Sequence, residues 1–247
     1  MGADAYVTIA ATFLVAGAVK GVIGLGLPTV SLALLTLAFD LPQAMVLMLI
    51  PSAVTNIWQG VVGGQLTVLL GRFWLFLLLV SGAVWFGTAA LNLIALDVLT
   101  VVLGVLIVIY AALGLSGRRI HLNNRQETWM LAPVAIINGV LTGMTGSLVV
   151  PAVMYLQSLD LSRDDLVQIM GLMFTASTFA LGIALYGRML LPVDLTVASA
   201  AGVVPALIGM SIGQRVRDRL NEQWFRGCLF VGLLMTGVAL IVYSRWS

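Results

Sequence analysis

Charge is what this chain lacks most. Only 9% of its 247 residues are Asp, Glu, Lys or Arg, against roughly 25% in soluble domains, while 61% are hydrophobic and the mean hydropathy is +1.10. A water-soluble globule is excluded, and the apolar runs recur from end to end, so the whole chain reads as one membrane domain. There is one cysteine, Cys228, and one histidine, His121. A single thiol forbids an intrachain disulfide and leaves the redox compartment open. With His121 in a polar stretch there is no Cys/His set for zinc or haem, so neither a metal nor a cofactor is expected. Carboxylates are missing from the interiors of the apolar segments. Asp4, Asp40, Asp97, Asp160, Asp164, Asp165 and Asp194 fall near segment ends, and Glu127, Asp218 and Glu222 in loops or at a helix start. No buried acid relay is visible. The net charge of +2 gives no reason to expect a nucleic-acid partner, because basic residues in such a chain mostly set orientation. No Lys or Arg precedes Lys20, whereas a cleaved signal peptide wants a basic start, so the first helix is expected to be retained.

What the chain has in quantity is glycine, 26 residues, as suits helices that approach closely in lipid. Gly17, Gly21, Gly24 and Gly26 interrupt an apolar stretch that would otherwise run from Ala5 to Phe39. Pro28 and Thr29 then read as the first turn of a new helix. A helix that breaks inside a hydrophobic run leaves outward-facing N–H groups on its second piece, which suits an anion. The only lysine of the chain, Lys20, stands beside this break.

Polar residues taken as punctuation give helices at Ala5 to Lys20, Leu27 to Phe39, Pro42 to Val62, Phe73 to Leu96 and Val98 to Leu115. After a polar linker the second half reads as Trp129 to Thr142, Ser147 to Leu159, Asp164 to Tyr186, Pro192 to Gln214 and Gln223 to Tyr243. The halves match. Gly139, Gly143 and Gly146 repeat the spacing of Gly17, Gly21 and Gly24 at an offset of 122, Asp160-Leu-Ser162 follows Asp40-Leu-Pro42 at 120, Thr175 follows Thr55 at 120, and Gly202 falls opposite Gly82. The expected architecture is an all-α polytopic membrane protein with a first repeat over residues 1–116, a cytoplasmic linker at 117–128 and a second repeat over 129–247. Each repeat has about five segments, the first two short, broken or re-entrant, giving eight to ten membrane segments in all.

Basic residues decide between topologies. If each opening pair returns the chain to its starting side, one face holds Lys20, Arg72, Arg118, Arg119, Arg125, Arg163, Arg215, Arg217, Arg219 and Arg226, and the other only Arg188 and Arg245. The positive-inside rule favours this arrangement over one with the charges spread evenly. An odd number of transits per half then inserts the two halves upside down, an inverted-topology repeat of the kind many secondary transporters use. Tryptophans and tyrosines such as Trp129, Trp224, Tyr243 and Trp246 near segment ends are expected to anchor at the interface.

At Lys20-Gly21-Val-Ile-Gly24-Leu-Gly26 and the matching stretch from Gly139 to Pro151, the chain resembles the sulfite exporter TauE/SafE family of membrane permeases, and the likeness covers nearly its whole length. The resemblance implies a permease for sulfur-containing or other small organic anions in the bacterial inner membrane, without specifying which anion.

The residues themselves nominate a substrate site. Lys20, if it lies at depth, costs roughly 2.5 to 3.5 kcal/mol without a partner, which a bound anion would offset; the competing reading is a side chain that snorkels to the surface. Gly24, Gly26 and Thr29 after the first break, and Gly146 and Ser147 after the second, offer backbone and hydroxyl donors, though the glycines also serve simply to let helices cross. Thr55, Asn56 and Gln59 lie within about one helical turn, and Thr175 and Ser177, with Thr178, occupy the equivalent zone of the other half. Asn138 and Gln168 are polar residues in apolar surroundings and either line a path or bond between helices. An intramembrane hydrolase is the rival from another class, because Gly146-Ser147 follows Gly143 at a helix start. However, His121 is too far along the linker to activate a serine, so no enzyme is expected. The third reading is a passive anion channel or a subunit of a membrane complex. The expected partners are a small anion and the lipid bilayer; oligomeric state is not encoded legibly.

Overall fold

The computed structural model describes residues 2–117, 121–217 and 222–244, without the side chains of Asn124, Glu222 and Gln223. Arg118, Arg119, Asp218, Arg219, Arg245 and Trp246 lie outside the described residues. Within them the chain is helical throughout: α1 (Ala3–Ile23), α2 (Leu27–Leu35), α3 (Leu41–Val62), α4 (Leu66–Thr88), α5 (Ala90–Leu93), α6 (Leu96–Ser116), α7 (Asn124–Thr145), α8 (Ala152–Gln157), α9 (Arg163–Gly187), α10 (Val193–Ala201), α11 (Val203–Arg217) and α12 (Glu222–Tyr243). Taking α4 with α5 and α10 with α11, eight stretches are long and apolar enough to cross a bilayer. Large apolar side chains such as Phe86 and Leu93 point outward at 77% and 81% exposure, as they do where lipid is the solvent. The protein is a multi-pass membrane protein of all-α class.

Several helix limits differ from expectation for one shared reason. Lys20, Arg72 and the polar residues 124–128 were expected to bound segments, yet each lies inside a helix. The first segment of each half is therefore not short: α1 has 21 residues and α7 has 22, about 31 to 33 Å at 1.5 Å per residue. α7 starts at Asn124 because Asn123 and Gln126 form a reciprocal capping box. Only the second segment of each half is short. α2 ends at Leu35, where a turn takes the chain to Asp40, and α8 occupies just Ala152–Gln157. Each break is made the same way. Gly24 and Gly146 take left-handed backbone, φ 84° and 75°, and their N–H groups donate to the carbonyls of Lys20 and Thr142, both at 2.7 Å. Side chains are strained at such φ values, so glycine is required.

The helices pair across the two halves in a repeating pattern. A Cβ on Gly17 would lie 2.1 Å from the Ala206 carbonyl oxygen, and one on Gly21 2.3 Å from that of Met210. In the other half Gly139 meets the Val80 carbonyl at 2.3 Å and Gly143 that of Val84 at 2.2 Å. Thus α1 lies against α11 and α7 against α4, each pair parallel, with backbones too close for any side chain. The pairs superpose by adding 122 to the first helix and 126 to the second, since 143 − 21 = 122 and 210 − 84 = 126. Gly82, by contrast, faces open space while Gly202 packs on Phe13; the partner of Gly213 is Gly87, so the expected match of Gly82 with Gly202 is corrected.

Corresponding helices meet head to tail. Gln59 bonds Val167, Gly60 lies on Gly171, and Leu49 reaches Gly182, so α3 and α9 are antiparallel. Gly104 packs on Gly237 and Ser244 bonds the Asp97 carbonyl, so α6 and α12 are antiparallel too. At one end of the bundle Arg72 pairs with Glu127 at 2.8 Å, and Gln168 caps the turn after α3 by accepting from Gln65 N–H at 3.0 Å.

Candidate functional site

The site begins with a proline. Pro51, inside α3, has no N–H, so the carbonyl of Leu47 loses its helical partner. Ser199 of α10 replaces it, donating to that carbonyl at 2.7 Å while accepting from the Ile50 N–H at 3.2 Å. One turn on, Thr55 donates its hydroxyl to the Pro51 carbonyl at 2.9 Å, which leaves its oxygen lone pairs free to accept. Lys20 takes that position. Its Nζ donates to Thr55 Oγ1 at 3.2 Å and to Asn56 Oδ1. The residue is only 5% exposed, so Lys20 does not snorkel.

The ammonium thus sits among neutral oxygens, and the salt bridge of Arg72 with Glu127 lies elsewhere in the bundle. Asn56 Nδ2 and Gln59 Oε1 are buried without partners, and an unmet buried polar atom is costly in an apolar interior. Lys20, Thr55 and Gln59 border a cavity of about 360 Å³. Its walls are Lys20 and Gly24 from α1 and its cap, Thr55, Trp58, Gln59, Val62 and Gly63 from α3 and its end, Asp164, Val167 and Gln168 from α9, and Met210 and Gln214 from α11. The exposed residues Gly63, Asp164 and Gln214 mark the mouth. Lys20 lies about two helical turns inward, since its partner Asn56 precedes Gly63 by seven residues.

Of the residues singled out in the sequence, the cavity therefore brings together Lys20, Gly24, Thr55 and Gln59, with Asn56 behind the lysine. Gln168 lines it as well, with both polar atoms of its amide engaged, Nε2 donating to the Gly60 carbonyl at 2.9 Å and Oε1 accepting from the Gln65 N–H at 3.0 Å. Gly26 adopts φ 104° at the start of α2, and Thr29 Oγ1 is buried and unpartnered there, both outside the cavity wall. The second break is occupied with itself. Asn138 accepts from Ala152 N–H at 3.1 Å, Thr142 donates to the Ser147 carbonyl at 2.8 Å, and Ser147 N–H donates to Thr145 Oγ1 at 3.2 Å. Gly146 is packed against Met45 and Leu32. Thr175 donates to the Gly171 carbonyl at 2.7 Å, and Ser177 Oγ is buried and unpartnered.

Trp58, Val62, Asp164, Met210 and Gln214 were not foreseen. Trp58 and Val62 were within reach of the sequence, because Thr55, Trp58, Gln59 and Val62 fall on one helical face. A larger cavity, about 570 Å³, lies among the ends of α2, α3, α6 and α12, but of Asp, Glu, Lys and Arg its described wall residues include Asp40 and Asp97 alone, which offer an anion acceptors instead of donors. No curated protein and no solved structure matches the chain. The family model of the sulfite exporter TauE/SafE matches residues 9–240. The chain belongs to this family. TauE/SafE proteins are membrane transporters, and in this member the matched region contains both glycine breaks, the Lys20 cavity and all the helix pairs described above.

Proposed function

We propose that this TauE/SafE member is a secondary carrier that moves a small sulfur-containing or carboxylate anion across the bacterial inner membrane by alternating access, with Lys20 as its fixed positive charge. The observation that carries the reading is a buried ammonium, held by neutral oxygens alone, on the wall of a cavity open at one end of the bundle. An anion entering there cancels a charge that is otherwise expensive to bury. Asn56 and Gln59 supply further polar contacts, and Asp164, at the exposed mouth, is screened by water and by the N-terminal end of its own helix.

Two features support an inverted repeat. The equivalent helices α3 and α9, and α6 and α12, run head to tail, and the pairs α1·α11 and α7·α4 are interchanged by the same operation. The positive-inside rule then makes the cavity end, with Arg72, Arg125, Arg163, Arg215, Arg217 and Arg226, the cytoplasmic one. Gly146 and Thr175, the counterparts of Gly24 and Thr55, together with Ser177, belong on this reading to the opposite access state. Proteoliposome uptake and efflux against sulfite, thiosulfate, small sulfonates and small carboxylates is the direct test. Saturable flux with counterflow of at least one anion is expected; flux linear in concentration would make the protein a pore, and no flux at all would remove the carrier.

A further inference from the structure

The repeat relation assigns a counterpart to each wall residue of the cavity, and at the opposite end of the bundle the counterparts of Gln214, Trp58 and Gly24 are packed shut. Gln214, which lines the cavity, has its N–H opposite Gly21; the group in the same relation to Gly143 is the N–H of Thr88. Trp58 of the cavity corresponds, at the offset of 120, to Thr178. Thr88 and Thr178 are buried to 0% and 3% exposure, and Thr178 Oγ1 has no partner. Gly146, the counterpart of Gly24, is filled by Met45 at 2.8 Å from a would-be Cβ. The one cation at this end among the described residues is Arg188, directly after α9. Its Nε donates to Thr88 Oγ1 at 3.1 Å, where the open end has cavity beside Gln214. Thr88 donates in turn to the Trp85 carbonyl at 2.8 Å, and a Cβ on Gly187 would lie 3.2 Å from the Trp85 ring.

We propose that Arg188, through its bond to Thr88, is the gate of the opposite face, holding shut the counterpart of the Lys20 cavity. The proposal rests on the alternating-access reading above. Opening requires α9 and α4 to part at their ends, which breaks this single charge-assisted bond and exposes the unpartnered hydroxyl of Thr178. Neither threonine nor Arg188 touches the Lys20 site in the closed arrangement.

The test uses the full chain in proteoliposomes with the native thiol removed, Cys228→Ser, and a reporter, Thr178→Cys. A membrane-impermeant thiosulfonate is applied from the Arg188 face with no anion of the transport panel present. Arg188→Ala and Thr88→Val are each expected to raise the labelling rate about tenfold, as loss of a charge-assisted bond implies. Arg188→Lys, which keeps a donor cation, is expected to stay within about twofold of the parent on the same scale. Met45→Cys is the second reporter should Thr178→Cys not fold. Unchanged labelling in both Arg188→Ala and Thr88→Val overturns the gate. Flux on the parent reporter with Arg188 and Thr88 intact separates the two readings: saturable flux in the parent with unchanged labelling in the variants removes the gate and leaves the carrier. Raised labelling in the variants while the parent moves no anion of the panel removes the carrier and leaves Arg188 as the closure of that face.

Discussion

Lys20 and Asn56 each attract notice in the sequence, one as the only lysine and the other as an amide in a hydrophobic run. Nothing in a linear pattern says that residues 36 apart meet. That contact depends on how α1 lies against α3, a packing fact. Asp164 escaped notice for the converse reason: a carboxylate at a segment end reads as helix-end decoration, and only the approach of α9 to α3 brings it to the cavity mouth. At this scale the expected outcome of replacing Lys20 is specific. Lys20→Gln removes the charge while keeping donors, and should weaken anion binding by about 10- to 100-fold, as a lost charged hydrogen bond of about 1.5–3 kcal/mol predicts. Lys20→Arg should retain part of the flux because the charge stays, though its planar fork does not reproduce the ammonium geometry. The half-saturation concentration of proteoliposome uptake measures both.

Between elements, glycine does what charge cannot in lipid. The crossings of α1 with α11 and α7 with α4 put carbonyl oxygens where side chains would begin. Gly21→Ala and Gly143→Ala should therefore each destabilise the protein by about 1–3 kcal/mol, the usual cost of overpacking, seen as a lower unfolding midpoint in detergent. Gly71→Ala, in α4 with nothing near its added methyl, should be neutral or slightly stabilising because alanine favours helix. The glycine spacing of the two halves was legible from sequence, and so was the existence of nearly every helix. Helix limits were less so, because a polar residue marks a boundary only if it must reach water. Lys20 finds oxygens inside the protein, and Arg72 finds Glu127. The mismatch of Gly82 with Gly202 has a related cause: sequence offers many glycines, and only the crossing contacts reveal which are equivalent.

For the molecule as a whole, inversion is a statement about which turns share a face. Asp40 and Asp160 hold equivalent positions in the two halves, and both are exposed. If the halves are upside down relative to each other, they lie on opposite sides of the membrane. In a Cys228→Ser background, Asp160→Cys should be labelled by an impermeant thiol reagent only from the face carrying Arg72 and Arg163, and Asp40→Cys only from the other. Labelling of both from one side would sink the inversion. The all-helical membrane class followed from composition alone, whereas the exchange of partners between halves did not, since periodicity within a helix carries no information about which neighbour it meets.

The lone ammonium has an energetic corollary for the working cycle. An unoccupied protein that changes sides must bury a full positive charge, whereas an occupied one buries a near-neutral pair, and sealing charge away from water is costly. The return journey is thus the slow one when it is made empty. Solute waiting on the far side should shorten it, so that one-for-one swapping of labelled for unlabelled anion outpaces net discharge from the same vesicles.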